Sequence, residues 1–268
     1  MAQISVKEVP VFHCAARAHV GGAGDPLLLV HGGWGGAAMH WSRVWEALAD
    51  RFFVIAPDLP GIGRIDQAPL PDLASYARWV DELLGALGVE SAVCVGNSFG
   101  ASVVCALAAQ SPARVRGLAL VNGFPMPPTP PLLRELGEYL LARRLLAAIL
   151  HRTVYTPAAL ARAFVDPSLV PAELVATLRD PSPPQLAAFV DLYIHGGPDA
   201  PPPRDALLIW GEDDRLPGTT RRGLAKVIAA LPGAQAKRIA RAGHCPQVEQ
   251  PEAFVEVLSR FASERWKG

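Results

Sequence analysis

Short apolar runs that stop at turn residues alternate along this chain with longer stretches whose apolar residues recur every three or four positions. Leu27–Val30 ends at His31-Gly32-Gly33-Trp34-Gly35-Gly36, and Phe52–Ala56 ends at Pro57-Asp58-Leu59-Pro60-Gly61. Runs that are apolar throughout are what a parallel sheet covered on both faces demands of its strands. Ala92–Val95, Leu118–Val121, Ala206–Trp210 and Ala236–Ile239 read the same way. Between them, Met39–Ala49 places Trp41, Val44, Trp45 and Leu48 at helical spacing. Tyr76–Leu87 repeats the pattern with Trp79, Val80, Leu83, Leu84 and Leu87, and Gly88 supplies its stop. Further helices are expected over Ala101–Gln110, Thr219–Leu231 and Phe254–Trp266. This order predicts an α/β fold: a doubly wound, mostly parallel sheet with helices on both faces.

The texture changes after Val121. Pro125-Met126-Pro127-Pro128-Thr129-Pro130-Pro131 cannot continue a central strand. From Leu132 to about Ile194 the pattern is helical, cut by prolines at 157, 167, 171, 181, 183 and 184, and Pro201-Pro202-Pro203 closes it. The expectation is a core made of residues 1–124 and 204–268, with 125–203 inserted as a helical cap over the sheet. The plain alternative is that these are ordinary crossover helices.

Composition narrows the partners. The chain has 268 residues, 50% of them hydrophobic, enough for one sizeable core. Twenty-five basic residues balance twenty-five acidic ones, so no basic surplus attracts nucleic acid or an anionic membrane. Cys14, Cys94, Cys105 and Cys245 are too irregularly spaced for a metal-ligand pair or a disulfide framework. Met1–Glu8 lacks the apolar core of a signal peptide, and no run is long enough to span a bilayer. The expectation is a cytoplasmic protein acting on a small molecule. The sequence assigns no oligomeric state.

The strongest chemical signal is Gly96-Asn97-Ser98-Phe99-Gly100, which fits G-x-S-x-G between an apolar strand and an alanine-rich helix. A serine on a sharp strand-to-helix turn has a cramped backbone, so small residues must flank it. The turn lifts Oγ above the sheet, at a helix N-terminus where developing negative charge is favoured. The bland alternative is a structural Gly-Ser turn.

With that motif the chain resembles the α/β-hydrolase-fold enzymes over nearly its whole length. In similar proteins an H-G-x segment after an early strand supplies one backbone N–H of an oxyanion hole, and the residue after the nucleophile supplies the other. Here those donors would be Gly33 and Phe99, with His31 a structural holder of the loop. The acid in such proteins sits three residues past the glycine of Leu208-Ile209-Trp210-Gly211, which selects Asp214, with Asp213 and Glu212 as competitors. Some relatives place it after the preceding strand, where this chain has Asn122, an amide that cannot stabilise an imidazolium as a carboxylate does. The base usually lies in a G-H pair beyond the last strand, and of seven histidines only His244 has that setting.

The resemblance implies Ser98 as nucleophile, His244 as general base and Asp214 as orienting acid, with no metal or organic cofactor. A serine at the elbow argues against the dehalogenase and epoxide-hydrolase branches, which use an aspartate there. Carboxylic-ester hydrolysis comes first on sequence alone. The alternative is C–C bond hydrolysis of a ring-fission-type product, because Gly96–Gly100 and His31-Gly32-Gly33 are similar to those hydrolases. They commonly carry a tryptophan shortly after the histidine, where this chain has Cys245-Pro246, and want a cap arginine such as Arg143, Arg144, Arg152, Arg162 or Arg179. A non-catalytic binding member of the fold is a third reading. Trp34, Met126 and Tyr139 are the substrate-binding candidates, with Phe99, Phe164 and Phe189 as further lining residues.

Overall fold

The computed structural model describes residues 2–267 except 13, 64–65, 171–174, 176–185, 187–189, 193 and 198–204. Among the described residues eight strands form one sheet: β1 (Ser5–Val11), β2 (Cys14–Gly21), β3 (Asp25–Val30), β4 (Phe52–Pro57), β5 (Ala92–Asn97), β6 (Val115–Val121), β7 (Leu207–Gly211) and β8 (Gln235–Ile239). Their order across the sheet is β1-β2-β4-β3-β5-β6-β7-β8. Every neighbouring pair from β4 to β8 is parallel, and β1 and β2 join antiparallel at the β4 edge.

The central strands are apolar at every position because successive side chains feed two cores. Leu28, Val30, Cys94, Leu118, Leu120, Leu208 and Trp210 point to one side of the sheet. Leu27, Leu29, Val93, Val95, Ala119, Val121, Leu207 and Ile209 point to the other. The alternation is the period of two built into a pleated strand. The first core is covered by α3 (Leu73–Ala86) and α4 (Phe99–Gln110), and the second by α1 (Ala37–Trp41), α2 (Trp45–Ala49) and the closing helix (Pro251–Lys267). α3 starts where Asp72 accepts the Ser75 N–H at 2.7 Å, a side-chain cap for one orphan donor of the first turn.

Two local expectations are corrected. The single helix read over Met39–Ala49 is two short ones, broken at Ser42–Val44, where the Arg43 guanidinium leaves to donate to the Val248 carbonyl at 2.7 Å. Trp41, Val44 and Leu48 are nonetheless all buried, so the apolar spacing persists across the break. The β1–β2 hairpin had no sequence signal: five of the seven residues from Ser5 to Val11 are exposed, β1 contains Pro10, and three of the eight residues of β2 are alanine.

After β6 the chain leaves the sheet for α5 (Pro131–Leu136), α6 (Leu140–Thr153) and α7 (Pro157–Ala163), and it returns at β7. Pro131 and Pro157 open helices, where a missing N–H costs nothing and the fixed φ is already helical. The exit and return segments meet: Pro128 bridges to Gly196, and the Gly197 N–H donates to the Pro127 carbonyl at 2.9 Å. Pro171, Pro181, Pro183, Pro184 and Pro201–Pro203 lie outside the described residues. Among the described residues no helix is long and apolar enough to cross a membrane.

Candidate active site

The elbow is built by contacts that admit no side chain. A Cβ on Gly96 would lie 2.2 Å from the Gly100 carbonyl oxygen, and one on Gly100 would lie 2.3 Å from that of Val30. Ser98, between them, is held at φ 53° and ψ −115°, a conformation that costs an L-residue on the order of 1–3 kcal/mol and persists only where its surroundings enforce it. Its N–H donates to the Val121 carbonyl at 2.9 Å, and its own helix, α4, begins at the next residue. The strain places the hydroxyl at the C-terminal edge of the sheet, facing a cavity.

Asp214 and His244 meet at the same edge. Asp214 follows β7, and its Oδ2 lies 2.8 Å from His244 Nδ1, with both side chains buried. The carboxylate is satisfied three ways: Oδ1 accepts the Leu216 N–H at 2.9 Å, and Oδ2 also accepts an N–H of Asn122 at 2.7 Å. Glu212 instead faces Arg238, at 3.4 Å, and Asp213 donates its backbone N–H to Ala242, so of the three neighbouring acids Asp214 is the one that reaches the histidine.

Asn122 occupies the place after β6 where some relatives carry the acid. Its backbone has φ 41°, its Oδ1 accepts the Gly211 N–H at 2.9 Å, and its Nδ2 points at Asp214. As an amide it carries no charge to offer an imidazolium, and its place after β6 sets it against the Asp214 carboxylate instead. Asn97, read only as a spacer in the motif, ties the elbow to the histidine loop. Its Nδ2 donates to the Val121 and His244 carbonyls at 2.9 and 3.1 Å.

Two buried histidines shape the loop after β3. His31 Nε2 accepts the Leu59 N–H at 2.9 Å, so Nδ1 carries the proton and donates to the Gly32 carbonyl at 2.7 Å. Burial holds its pKa below the ordinary histidine value, in keeping with a neutral structural ring. His40 has Nε2 at 2.7 Å from the Trp34 carbonyl and Nδ1 at 2.9 Å from Asn97 Oδ1. Burial, reinforced by His31, lowers its pKa to about 3. With an oxygen facing each ring nitrogen, it braces the loop carrying Gly33 against the elbow.

The helices between β6 and β7 clamp onto this edge. The His244 N–H donates to the Ala163 carbonyl at 2.6 Å, at the end of α7. That approach explains the glycine of the G-H pair, since a Cβ on Gly243 would lie 2.1 Å from the same oxygen. Glu249 closes the clasp: Oε2 accepts from the Gly243 N–H at 2.6 Å, and Oε1 accepts from Val165 and Asp166 at 2.6 and 3.2 Å. Burial raises the pKa of Glu249, opposed by these three donors. Tyr155, also buried, donates its hydroxyl to the Gly33 carbonyl at 3.2 Å.

Ser98 and His244 share a cavity of about 470 Å³ with Gly33, Trp34, Phe99 and Met126, and Leu146, Ile149 and Leu150 of α6 form its outer wall. Among the described residues its lining includes no Asp, Glu, Lys or Arg. Tyr139 is not part of it, a correction to the sequence reading: it precedes α6 and is 67% exposed, and the residues of that helix that face the cavity begin only at Leu146. Phe164 is buried in the core rather than in the cavity, and Phe189 lies outside the described residues. No three His, Cys, Asp or Glu side chains gather as a metal site among the described residues.

Comparisons with known proteins agree with this architecture. The model of a family described as "Alpha/beta hydrolase family" matches residues 27–257. A 2-hydroxymuconate semialdehyde hydrolase of Pseudomonas sp. (strain CF600) is 32% identical, over 92% of this chain and 89% of its own. The meta-cleavage product hydrolase of Pseudomonas fluorescens IP01 superposes with a TM-score of 0.73 at 23% identity, covering 96% of this chain and 97% of that one. A thermophilic esterase of Thermogutta terrifontis superposes with a TM-score of 0.71 at 24% identity, covering 98% and 99%.

Proposed function

Because the chain belongs to the alpha/beta hydrolase family, we propose that it is a serine hydrolase with Ser98 as nucleophile, His244 as general base and Asp214 as orienting acid. The observation that carries this reading is the buried Asp214–His244 pair, 2.8 Å apart, set on the same cavity as a serine held in a strained turn. His244 takes the Ser98 proton as Oγ adds to a carbonyl carbon. The N–H groups of Gly33 and Phe99 receive the oxyanion, a contribution of roughly several kcal/mol in sites of this kind. Collapse of the adduct expels the leaving group, which takes up the proton from His244. Water, activated by the same base, then releases the acyl group as a carboxylic acid.

The relatives bear on which bond breaks. On sequence alone an ester comes first, whereas 32% identity to a semialdehyde hydrolase over nearly the whole chain supports C–C cleavage of a ring-fission-type product. In that reaction the leaving group is a carbanion stabilised as an enolate, protonated on carbon or oxygen as it departs.

Ester hydrolysis keeps a specific observation in its favour. An anionic ring-fission product wants a cation, and the described cavity lining holds none. Arg143 is paired with Asp191, Arg152 and Arg162 are exposed, Arg144 is absent from the cavity wall, and Arg179 lies outside the described residues. The buried Cys245 stands where the C–C hydrolases commonly carry tryptophan. Purified protein assayed in parallel on a ring-fission dienoate and on p-nitrophenyl esters separates the two. Consumption of the dienoate at the higher kcat/KM supports C–C cleavage, and the reverse ranking supports the esterase.

A further inference from the structure

The outer wall of the catalytic cavity is thin. Leu146 and Ile149, one turn apart on α6, line the cavity on one side and on the other line a second hollow of about 380 Å³. That hollow runs between α5 and α6 over Leu133, Leu136, Gly137 and Leu145 to Ile194, and its described lining has no charged residue. Its rim is apolar and open to solvent: Leu133 is 55% exposed, Leu136 46% and Leu145 62%. A monomeric protein that leaves such a contiguous apolar surface uncovered is normally keeping it for a ligand or partner. Here the surface continues the active cavity across two side chains, and that continuity selects the occupant.

We propose that the substrate carries a long, unbranched apolar chain that starts at the carbonyl beside Ser98, crosses the wall at Leu146 and Ile149 and lies in the α5–α6 groove. The proposal rests on Ser98 being the nucleophile and is independent of whether the bond broken is C–O or C–C. The chain must clear the Leu146 and Ile149 side chains before it meets the groove, so short chains gain nothing from it. Each methylene that then leaves water adds to binding, so the gain grows with chain length.

Alkylphosphonate p-nitrophenyl esters test this, because Ser98 Oγ attacks phosphorus and p-nitrophenolate leaves whatever the natural bond. Labelling rates would be followed by intact mass for alkyl chains from ethyl to hexadecyl, below their micelle concentrations. The expected result is a rate that rises at least tenfold from ethyl to dodecyl. In Leu136→Glu and Leu133→Glu, both at exposed positions, the dodecyl-to-ethyl rate ratio is expected to fall about tenfold. A flat or falling series, or a ratio untouched by both variants, overturns the proposal. So does a dimer in wild type that Leu136→Glu dissociates, which would give the face to a second copy. Absence of labelling at every length in folded protein would instead remove Ser98 as nucleophile, a distinguishable failure.

Discussion

Asn122 donates an N–H to Asp214 Oδ2 at 2.7 Å, on the same oxygen that lies 2.8 Å from His244 Nδ1. The amide therefore fixes which lone pair of the carboxylate remains for the imidazole. It is itself fixed by the Gly211 N–H on its Oδ1. A hydrogen bond to a charged acceptor contributes about 1.5–3 kcal/mol, so Asn122→Leu is expected to lower kcat roughly 10- to 100-fold. The loss should fall mainly on kcat, since the Asn122 amide is committed to Asp214 and Gly211. Asn122→Asp places a second carboxylate against the first, and two such groups cannot both ionise readily. The acid limb of its kcat/KM profile should move to higher pH. An unshifted profile would mean that Asn122 only supports the loop.

Glu249 joins three backbone donors from two parts of the chain, Gly243 beside the base and Val165 and Asp166 beyond α7. Removing the carboxylate leaves buried N–H groups unpaired at about 1–3 kcal/mol each. Glu249→Ala is expected to lower Tm by several degrees and to open the segment near Val165 to limited proteolysis. Equal cleavage rates in wild type and variant would show that the clasp does not hold the helices down.

His40 predicts an acid-dependent loss of stability. Its folded pKa of about 3 lies below the unfolded value of 6.5, so the unfolded chain binds the proton first as pH falls. Its contribution is complete above pH 6.5 and drains away between 6.5 and about 3. The slope is at most about 1.4 kcal/mol per pH unit for one proton. His31, lowered for the same reason, adds in the same direction. Urea unfolding across this range should show His40→Gln with the shallower slope, whatever its absolute stability. Parallel slopes would refute the assignment.

The elbow glycines make a sharper claim. Gly100→Ala forces a Cβ to within 2.3 Å of the Val30 carbonyl, a backbone atom of a central strand that has no room to retreat. Overpacking at such a point costs about 1–3 kcal/mol or more. A markedly lowered Tm together with lost activity is expected from thermal scans, and a wild-type Tm would contradict the contact.

Much of this architecture was legible because burial on both faces leaves so little choice. Strands such as Leu27–Val30 and Ala92–Val95 must be apolar throughout, and the elbow must be G-x-S-x-G because two backbones pass where side chains would stand. The β1–β2 hairpin was not legible, since an exposed edge places few demands on its residues. Asn97, Asn122, His40 and Glu249 escaped for another reason. Each acts by a hydrogen bond to a group far along the chain, as with Asn97 and His244 or Glu249 and Val165, and sequence spacing carries little trace of such pairs. Tyr139 failed in the opposite sense: an aromatic residue beside an amphipathic helix reads as lining but falls on the solvent side.

The most direct test of the whole account is a side-by-side assay of wild type and Ser98→Ala on p-nitrophenyl esters and a ring-fission dienoate, with folding of both checked by circular dichroism. The account predicts turnover of at least one substrate class by wild type and a loss of at least a thousandfold in Ser98→Ala, with the fold intact. Turnover surviving in Ser98→Ala, or a folded wild type that turns over neither class, would contradict it.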